Sequence, residues 1–195
     1  MNLVRPVISF AVLVYFDPET ERAIRSLQEQ LVWRGIQPIP EEMHREPHLT
    51  LGMWNGKAPP DFPDALLRFT AELGRTRLLF SSAGVFPTRD GVIFLAPVVT
   101  FDLLALHTRF HRTVVPAGLE PNRHYLPGAW VPHCTLGVAL ADWEMHAAMD
   151  IAREPPMPFE GTLESIGIVE FPPLKEVLRI PLPGPGGVPA GSGPG

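Results

Sequence analysis

Two histidines and two threonines occupy matching places in a six-residue motif that occurs twice in the sequence. The copies, residues 47–52 and 132–137, read Pro-His-Leu-Thr-Leu-Gly and Pro-His-Cys-Thr-Leu-Gly, so only the third position differs. A histidine ring takes up or releases a proton near neutral pH, and a threonine hydroxyl donates a hydrogen bond. Brought together, His48, Thr50, His133 and Thr135 would supply an acid, a base and two donors to an anion.

The spacing within each motif indicates a β-strand. Successive side chains of a strand point to opposite faces, so each copy would place its histidine and threonine on one face and its apolar residues on the other. Cys134 falls on the apolar side, where Leu49 stands in the first copy, and we interpret it as a small buried residue rather than a nucleophile. Two such strands facing each other would form a pocket with two imidazoles and two hydroxyls.

Such a pocket suits the hydrolysis of a strained cyclic phosphodiester. One histidine would remove a proton from water and the other would protonate the departing ribose oxygen. The hydroxyls of Thr50 and Thr135 would donate to the non-bridging phosphate oxygens. This chemistry needs no metal, and we expect no cofactor. The near-identity of the two motifs leaves open which histidine is the acid.

Strands and helices are predicted to alternate around both motifs. In the first half the expected order is strand, helix, motif strand, helix and strand, over residues 7–16, 18–33, 48–54, a helix capped by Asp61, and 77–86. The second half repeats this order over residues 92–100, a helix from about Asp102, 133–140, a helix capped by Asp142, and 163–171. A final strand is predicted over residues 175–182.

This alternation predicts an α+β protein with a bilobal, pseudo-symmetric, duplicated fold. Two mainly antiparallel sheets would face a central cleft, with the helices on the outside. We expect one domain over residues 1–183, with lobes of about 1–90 and 91–183, and leave exchange of strands between the lobes open. Residues 184–195 are almost entirely Gly, Pro, Ala and Ser, which predicts a disordered tail.

The composition excludes several classes of protein. The formal net charge of −5 argues against a large basic surface for nucleic acid. The sequence has no apolar run long enough to span a membrane, and its single cysteine cannot form an internal disulfide. We therefore expect a cytoplasmic monomer that does not bind membranes and that contacts any RNA locally, near an end.

The two His-x-Thr-x segments, residues 48–51 and 133–136, resemble those of the 2H phosphoesterase superfamily, specifically its 2′-5′ RNA ligase-like branch. The separation of the two histidines and the alternation of strands and helices up to Pro183 are also similar to those of that superfamily. The resemblance implies hydrolysis of a 2′,3′-cyclic phosphate to a 2′-phosphate, with a weak ability to join RNA ends through 2′-5′ linkages. It also implies that His48 is the proton donor and His133 the proton acceptor.

The identity of the substrate stays open. A cyclic phosphate at an RNA end or on a small nucleotide is expected, and the acidic charge balance favours the small nucleotide over RNA of any length. A 2H esterase for another small cyclic phosphate metabolite is an alternative. A non-catalytic module that binds phosphate or RNA ends is a further alternative. The presence of a histidine in each copy favours the enzyme.

Three aromatic residues near the second motif or at a strand end are candidates for stacking on a base, namely Trp130, Tyr125 and Phe171. Packing in the core is the competing interpretation. Loop cations are either phosphate contacts or surface charges, and these are Lys57, Arg89 and Arg123.

Two pairs of histidines are spaced by four residues, a spacing that binds a metal when it lies on a helix. Pro47 makes a helix across His44 and His48 unfavourable. The pair His107 and His111 falls in a predicted helix, and we weigh a metal site there against a partly packed helix face.

Overall fold

The computed structural model describes residues 8–40, 43, 46–86, 88, 91–153 and 157–184. The strands are β1 (Ser9–Phe16), β2 (His48–Asn55), β3 (Thr76–Val85), β4 (Ile93–Pro97), β5 (Cys134–Gly137), β6 (Phe159–Phe171) and β7 (Lys175–Pro181). The α-helices are α1 (Pro18–Trp33), α2 (Phe62–Ala71), α3 (Phe101–Thr113) and α4 (Asp142–Ala152), and Arg123–Tyr125 forms a 3₁₀ turn. The predicted tail lies outside the described residues from residue 185 onward. Within the described part, no helix is long and apolar enough to cross a membrane.

Helix α1 begins where its N-terminal groups find acceptors. The Asp17 carboxylate accepts the backbone N–H of Glu19 at 2.9 Å and of Thr20 at 3.0 Å. It also accepts the N–H of Thr162 on β6 at 2.8 Å. Burial alone would raise the pKa of this carboxyl, but the hydrogen bonds it accepts outweigh burial and lower it. Asp17 thus ties the start of α1 to the sheet.

The predicted caps of α2 and α4 differ from the observed ones. Asp61 does precede α2, but its side chain makes no capping hydrogen bond. Helix α4 begins at Asp142 itself, so Asp142 lies inside the helix and Ala141 precedes it. The Glu144 carboxylate accepts the Ala141 N–H at 2.7 Å and so serves the end of the helix that Asp142 was expected to cap.

The strands form one hydrogen-bonded sheet of antiparallel pairs in the order β2-β1-β6-β3-β4-β5, with β7 beside β6. Strand β6 has 13 residues, which is long enough for two sets of partners. Its C-terminal part pairs with β1 and β7, and its N-terminal part pairs with β3. The α+β class and the antiparallel pairing are confirmed, while the two expected sheets are joined through β6 and β3 into one.

Strand pairing crosses the middle of the sequence in both directions. Strand β3 of the first half pairs with β4 of the second, and β6 of the second half pairs with β1 of the first. The ends of the order, β2 and β5, nevertheless approach each other, with Cα atoms within 8 Å. The curled sheet therefore brings both motif strands to one place.

The two faces of the sheet bury different sets of residues. On β1, Phe10, Val12 and Val14 belong to the main core, which includes the apolar faces of the helices. The alternate residues of β1, starting with Ala11 and Leu13, form a separate cluster with strand β6. Among the described residues, this second cluster contains only strand residues, and it forms the floor of a cleft.

Candidate active site

Each motif strand contains a β-bulge at the same place. The ladder between β2 and β1 skips Leu51, and the ladder between β5 and β4 skips Leu136. Both skipped residues directly follow the motif threonine, so the two copies are alike in backbone as well as in sequence. In the first copy the bulge changes the alternation, which places Met53 on the cleft face and Trp54 in the core.

The glycine that follows the first bulge is required by packing. A Cβ atom added at Gly52 would overlap the indole ring of Trp54. Trp54 is only 2% exposed and stacks on Phe10 at 4.9 Å between ring centroids. The last position of the first motif therefore accommodates a core tryptophan directly behind the cleft.

The four motif side chains line one cavity of about 230 Å³. The structure thus brings together the residues that the sequence placed in two separate strands. Two of the three aromatic candidates are also in its wall. The full lining is Ala11, Leu13, Met43, His48, Thr50, Met53, Tyr125, His133, Thr135, Val169, Phe171 and Leu174.

Both histidines are oriented by the same kind of hydrogen bond. The Nδ1 atom of His48 lies 2.6 Å from the carbonyl oxygen of Glu46, and that of His133 lies 2.7 Å from the carbonyl oxygen of Val131. A carbonyl oxygen only accepts, so we assign the proton to Nδ1 in both rings. Nε2 is then the nitrogen at which each ring gains or loses a proton.

The surroundings of the two rings differ. His133 lies edge-on to Phe86 and Phe94, with ring centroids at 4.8 and 5.4 Å. Burial in this wall lowers the pKa of His133, and its hydrogen bond to Val131 opposes the shift only in part. The neutral ring, which is the form that accepts a proton, is therefore favoured at His133.

An arginine on β7 supports the segment that orients His48. The guanidinium of Arg179 donates to both carboxylate oxygens of Glu46, each at 2.7 Å, and its Cζ lies 3.7 Å from the centroid of the Tyr15 ring. This ion pair raises the pKa of Arg179 further. Tyr15 is the cross-strand partner of His48, and Glu46 bonds its ring. Arg179 therefore contacts two residues that adjoin His48.

Tyr125 closes the cavity from the 3₁₀ turn. Burial raises the pKa of its phenol, and a hydrogen bond with the Thr50 side chain opposes the shift. The phenol is therefore neutral at neutral pH and sits beside a motif hydroxyl. Phe171 lies at the C-terminal end of β6 and lines the same cavity.

Trp130 lies behind the motif strand, and it is not among the residues that line the cavity. It is 8% exposed, and its indole N–H donates to the Thr50 carbonyl oxygen at 2.9 Å. Its ring stacks on His107 with the centroids 4.0 Å apart. Its sequence-based assignment to substrate stacking is therefore replaced by a contact with the backbone of β2.

The histidine pair on α3 also contacts that backbone. The Nε2 atoms of His107 and His111 each lie 3.1 Å from the carbonyl oxygen of Leu51. Burial, with a smaller effect of the neighbouring His111, lowers the pKa of His107 to about 4. In the described part of the chain, no group of three or more His, Cys, Asp or Glu side chains is arranged to hold a metal. The packed-face interpretation fits this pair, while His44 of the other pair lies outside the described residues.

A second cavity of about 390 Å³ opens on the His133 side of the first. The two cavities share Met53, Tyr125, His133 and Thr135. The second one adds polar groups that the sequence had not singled out, including Thr88, Asn122 and His124. These residues come from segments that only the fold brings beside the motif, so no local pattern indicated them.

Cys134 is buried, as its place in the motif predicted, with 0% exposure. Burial raises the pKa of the thiol to about 12, although a hydrogen bond with the backbone of His48 opposes the shift. The thiol is thus in the protonated, weakly nucleophilic form. Its contact with His48 agrees with the approach of β2 and β5 within 8 Å.

Two of the three loop cations are exposed at the surface. Lys57 follows β2 and is exposed, and Arg123 is exposed in the 3₁₀ turn. Arg89 lies outside the described residues.

An α+β fold in which two His-x-Thr motifs share one cavity defines the class of two-histidine phosphoesterase folds. The family model described as the 2′-5′ RNA ligase superfamily matches residues 56–172. The chain belongs to that superfamily, and the resemblance inferred from the paired motifs is confirmed. The matched region contains the second motif and starts just after the first.

Solved structures with this fold cover most of the chain. TT0787 of Thermus thermophilus has a TM-score of 0.58 at 20% identity, over 90% of this chain and 98% of that one. E. coli LigT complexed with 3′-AMP has a TM-score of 0.52 at 18% identity, over 90% and 97%. A structure described as a phosphoesterase has a TM-score of 0.53 at 17% identity, over 90% and 97%. Among curated proteins, none matches the sequence.

Proposed function

We propose that this protein is a metal-independent cyclic phosphodiesterase that hydrolyses a 2′,3′-cyclic phosphate, at an RNA end or on a small nucleotide, to a 2′-phosphate. The observation that carries the proposal is the shared cavity of His48, Thr50, His133 and Thr135. Both rings in it have Nδ1 bound to a backbone carbonyl. Nε2 of each ring is thus assigned to the proton transfers.

In the proposed step, Nε2 of His133 takes a proton from a water molecule as the water oxygen bonds to phosphorus. The bond from phosphorus to the ribose O3′ breaks, and Nε2–H of His48 gives its proton to that oxygen. The product is a 2′-phosphate with a free 3′-hydroxyl. Solvent then returns the two rings to their starting states.

The direction of this assignment has support from burial. A general base must be neutral before the reaction, and the apolar wall of Phe86 and Phe94 lowers the pKa of His133. The family resemblance gives the same order, with His48 as donor and His133 as acceptor. The neutral form favoured at His133 thus fits its role as the base.

The hydroxyls of Thr50 and Thr135 donate to the non-bridging oxygens, whose negative charge grows as water attacks. Tyr125 lies against Thr50 and orients its hydroxyl. No metal takes part in this scheme. The phosphate is held by neutral donors and by the protonated histidine.

The two cavities are assigned to different parts of the reaction. The apolar part of the first, with Leu13, Val169 and Phe171, accommodates the nucleoside next to the leaving oxygen. The second cavity opens beside His133, on the side from which water attacks. At 390 Å³ it exceeds the roughly 30 Å³ of a water molecule, so an RNA hydroxyl can replace water there and give weak 2′-5′ joining.

The test is incubation of the purified protein, in EDTA, with 2′,3′-cyclic AMP and with a short RNA ending in a cyclic phosphate. Chromatography that resolves 2′- from 3′-phosphate should show the 2′ product. His48→Ala and His133→Ala should each lose at least about 10³-fold in rate, because acid and base act together. His146→Ala, on the exposed face of α4, is the matched control and should be unaffected.

Two results would reject the proposal. Near-normal turnover in either single variant would exclude the two-histidine mechanism. Tight binding of 2′-AMP without turnover of either cyclic substrate would favour the binding module instead.

A further inference from the structure

At the bulge in β2, the backbone carbonyls of Thr50 and Leu51 face α3 and the segment before β5. Leu51 is 0% exposed, and the bulge removes it from the ladder with β1. A buried carbonyl oxygen needs a donor, and this strand lies at the end of the sheet order. The donors that reach these carbonyls must therefore come from outside the sheet.

Three side chains supply them. His107 and His111 each place Nε2 at 3.1 Å from the Leu51 oxygen, and the Trp130 indole donates to the Thr50 oxygen at 2.9 Å. We call His107, His111 and Trp130 the carbonyl clamp. Their rings pack on one another, with Trp130 parallel to His107 within 3° and His107 4.6 Å from His111.

The chain just after the second motif makes a different contact. There the backbone N–H of Val138 donates to the carbonyl oxygen of Pro38 at 2.8 Å. The carbonyl clamp thus serves the strand of His48 and Thr50. The corresponding threonine of β5, Thr135, offers an internal control.

We propose that the carbonyl clamp is a set of positioning residues that holds Thr50 in the place needed for turnover. None of its members lines the first cavity, so it acts through the backbone that it bonds, which is β2 and, for His107 and His111, also Tyr125. The inference rests on the proposed function, since it is measured through turnover. A displacement of about 1 Å at a reacting group can cost on the order of 10²-fold in rate.

The test is a double-mutant cycle on kcat/KM. His107→Phe keeps a ring against Trp130 but removes the donor, and we expect it to lower kcat/KM about tenfold, whereas His107→Gln should restore part of the loss. In combination with Thr50→Val, His107→Phe should cost little more than Thr50→Val alone. In combination with Thr135→Val, the two losses should multiply.

A loss that multiplies equally with both threonine variants would overturn the inference, because a general loss of folded protein has that effect. Rates are therefore referred to the folded fraction measured by circular dichroism. If His107→Phe does not fold, Trp130→Phe replaces it in the same cycle. Trp130→Phe removes the indole N–H while keeping an aromatic ring, and the same two outcomes apply.

A second measurement does not depend on turnover. In ¹⁵N NMR spectra at pH 7, His107 and His111 should both be Nε2–H tautomers, as donation to the Leu51 oxygen requires. Finding Nδ1–H in either ring would overturn the clamp.

If these tautomers are present but the wild type turns over no cyclic phosphate, the proposed function fails. The clamp is then tested by the NMR chemical shifts of the Thr50 and Thr135 methyl groups in His107→Phe. A larger change at Thr50 supports the clamp, and equal changes at both threonines reject it.

Discussion

The Arg179 guanidinium and the Glu46 carboxylate form a two-point ion pair, with both N···O distances at 2.7 Å. The backbone carbonyl of the same glutamate accepts Nδ1–H of His48. The side chain and the main chain of one residue thus connect β7 to the proposed general acid. The corresponding carbonyl for His133 belongs to Val131, whose side chain has no charge.

Removal of Arg179 should therefore impair the acid rather than the base. We expect Arg179→Met to lower kcat/KM about fivefold to tenfold, because the segment that orients His48 loses its anchor. Arg153→Met, which breaks a surface ion pair on α4, is the matched control. Steady-state kinetics of both variants decide the question, and equal activities would show that the ion pair does not influence His48.

The two motif hydroxyls should contribute separately. Thr50→Val and Thr135→Val replace the hydroxyl by a methyl group of similar size, and each should lower kcat/KM by about 10²-fold, in the range of one lost donor to an oxyanion. Thr113→Val on α3, which removes a hydroxyl bonded to the Arg109 carbonyl, is the control. Unchanged kinetics in both motif variants would exclude phosphate binding by the threonines.

The acidic limb of the pH profile should report His133. Burial lowers its pKa from 6.5, so the neutral base persists at lower pH and the limb of kcat/KM should lie below pH 6.5. Phe86→Ala lets water reach the ring, which should raise the pKa and move the limb towards 6.5. Phe171→Ala, at the other end of the cavity, should leave the limb in place. A limb unchanged in Phe86→Ala would reject His133 as the base.

Folding stability should decrease in acid through a different histidine. The pKa of His107 is about 4 in the folded protein against 6.5 in the unfolded chain, so the unfolded chain binds more protons between these values. The effect of His107 leaves the free energy of unfolding unchanged above pH 6.5 and lowers it by about 3 kcal/mol as the pH falls to 4. His107→Gln should remove this part of the loss.

Urea unfolding of wild type and His107→Gln at pH 7 and about pH 4.5 measures the difference. His146→Gln, whose ring is exposed on α4, should retain the wild-type dependence. An identical pH dependence in all three proteins would contradict the assignment to His107.

The buried thiol should be dispensable for turnover. Cys134→Val fills the same apolar site, and we expect kcat to stay within about twofold of wild type. The native protein should also react slowly with a thiol reagent, because burial raises the pKa of Cys134 to about 12. Loss of most activity in the valine variant, with folding intact, would indicate a chemical role for the thiol.

Helix α1 shows how far local sequence predicts this fold. Its predicted and observed bounds, Pro18–Trp33, coincide, because an acidic cap precedes a proline and apolar residues recur at helical spacing. The end of β5 was less predictable. The strand runs only from Cys134 to Gly137 rather than over residues 133–140, since its length depends on pairing with β4, which is also short.

The site residues divide in the same way. His48, Thr50, His133 and Thr135 were predicted as site residues from type and spacing alone, because strand alternation places each pair on one face. The sequence alone also indicated the duplication, the α+β class and the burial of Cys134. All of these depend on short-range order along the chain.

Only the tertiary structure decided how the two motifs meet and what lies around each ring. The crossing of strands between halves, the aromatic wall of His133, the ion pair of Arg179 and the donors to the Leu51 carbonyl join segments far apart in sequence. The same fact turned Trp130 from a candidate for base stacking into a donor to the backbone. Near-identical motifs carry equal local information, so the difference between their histidines arises from long-range packing.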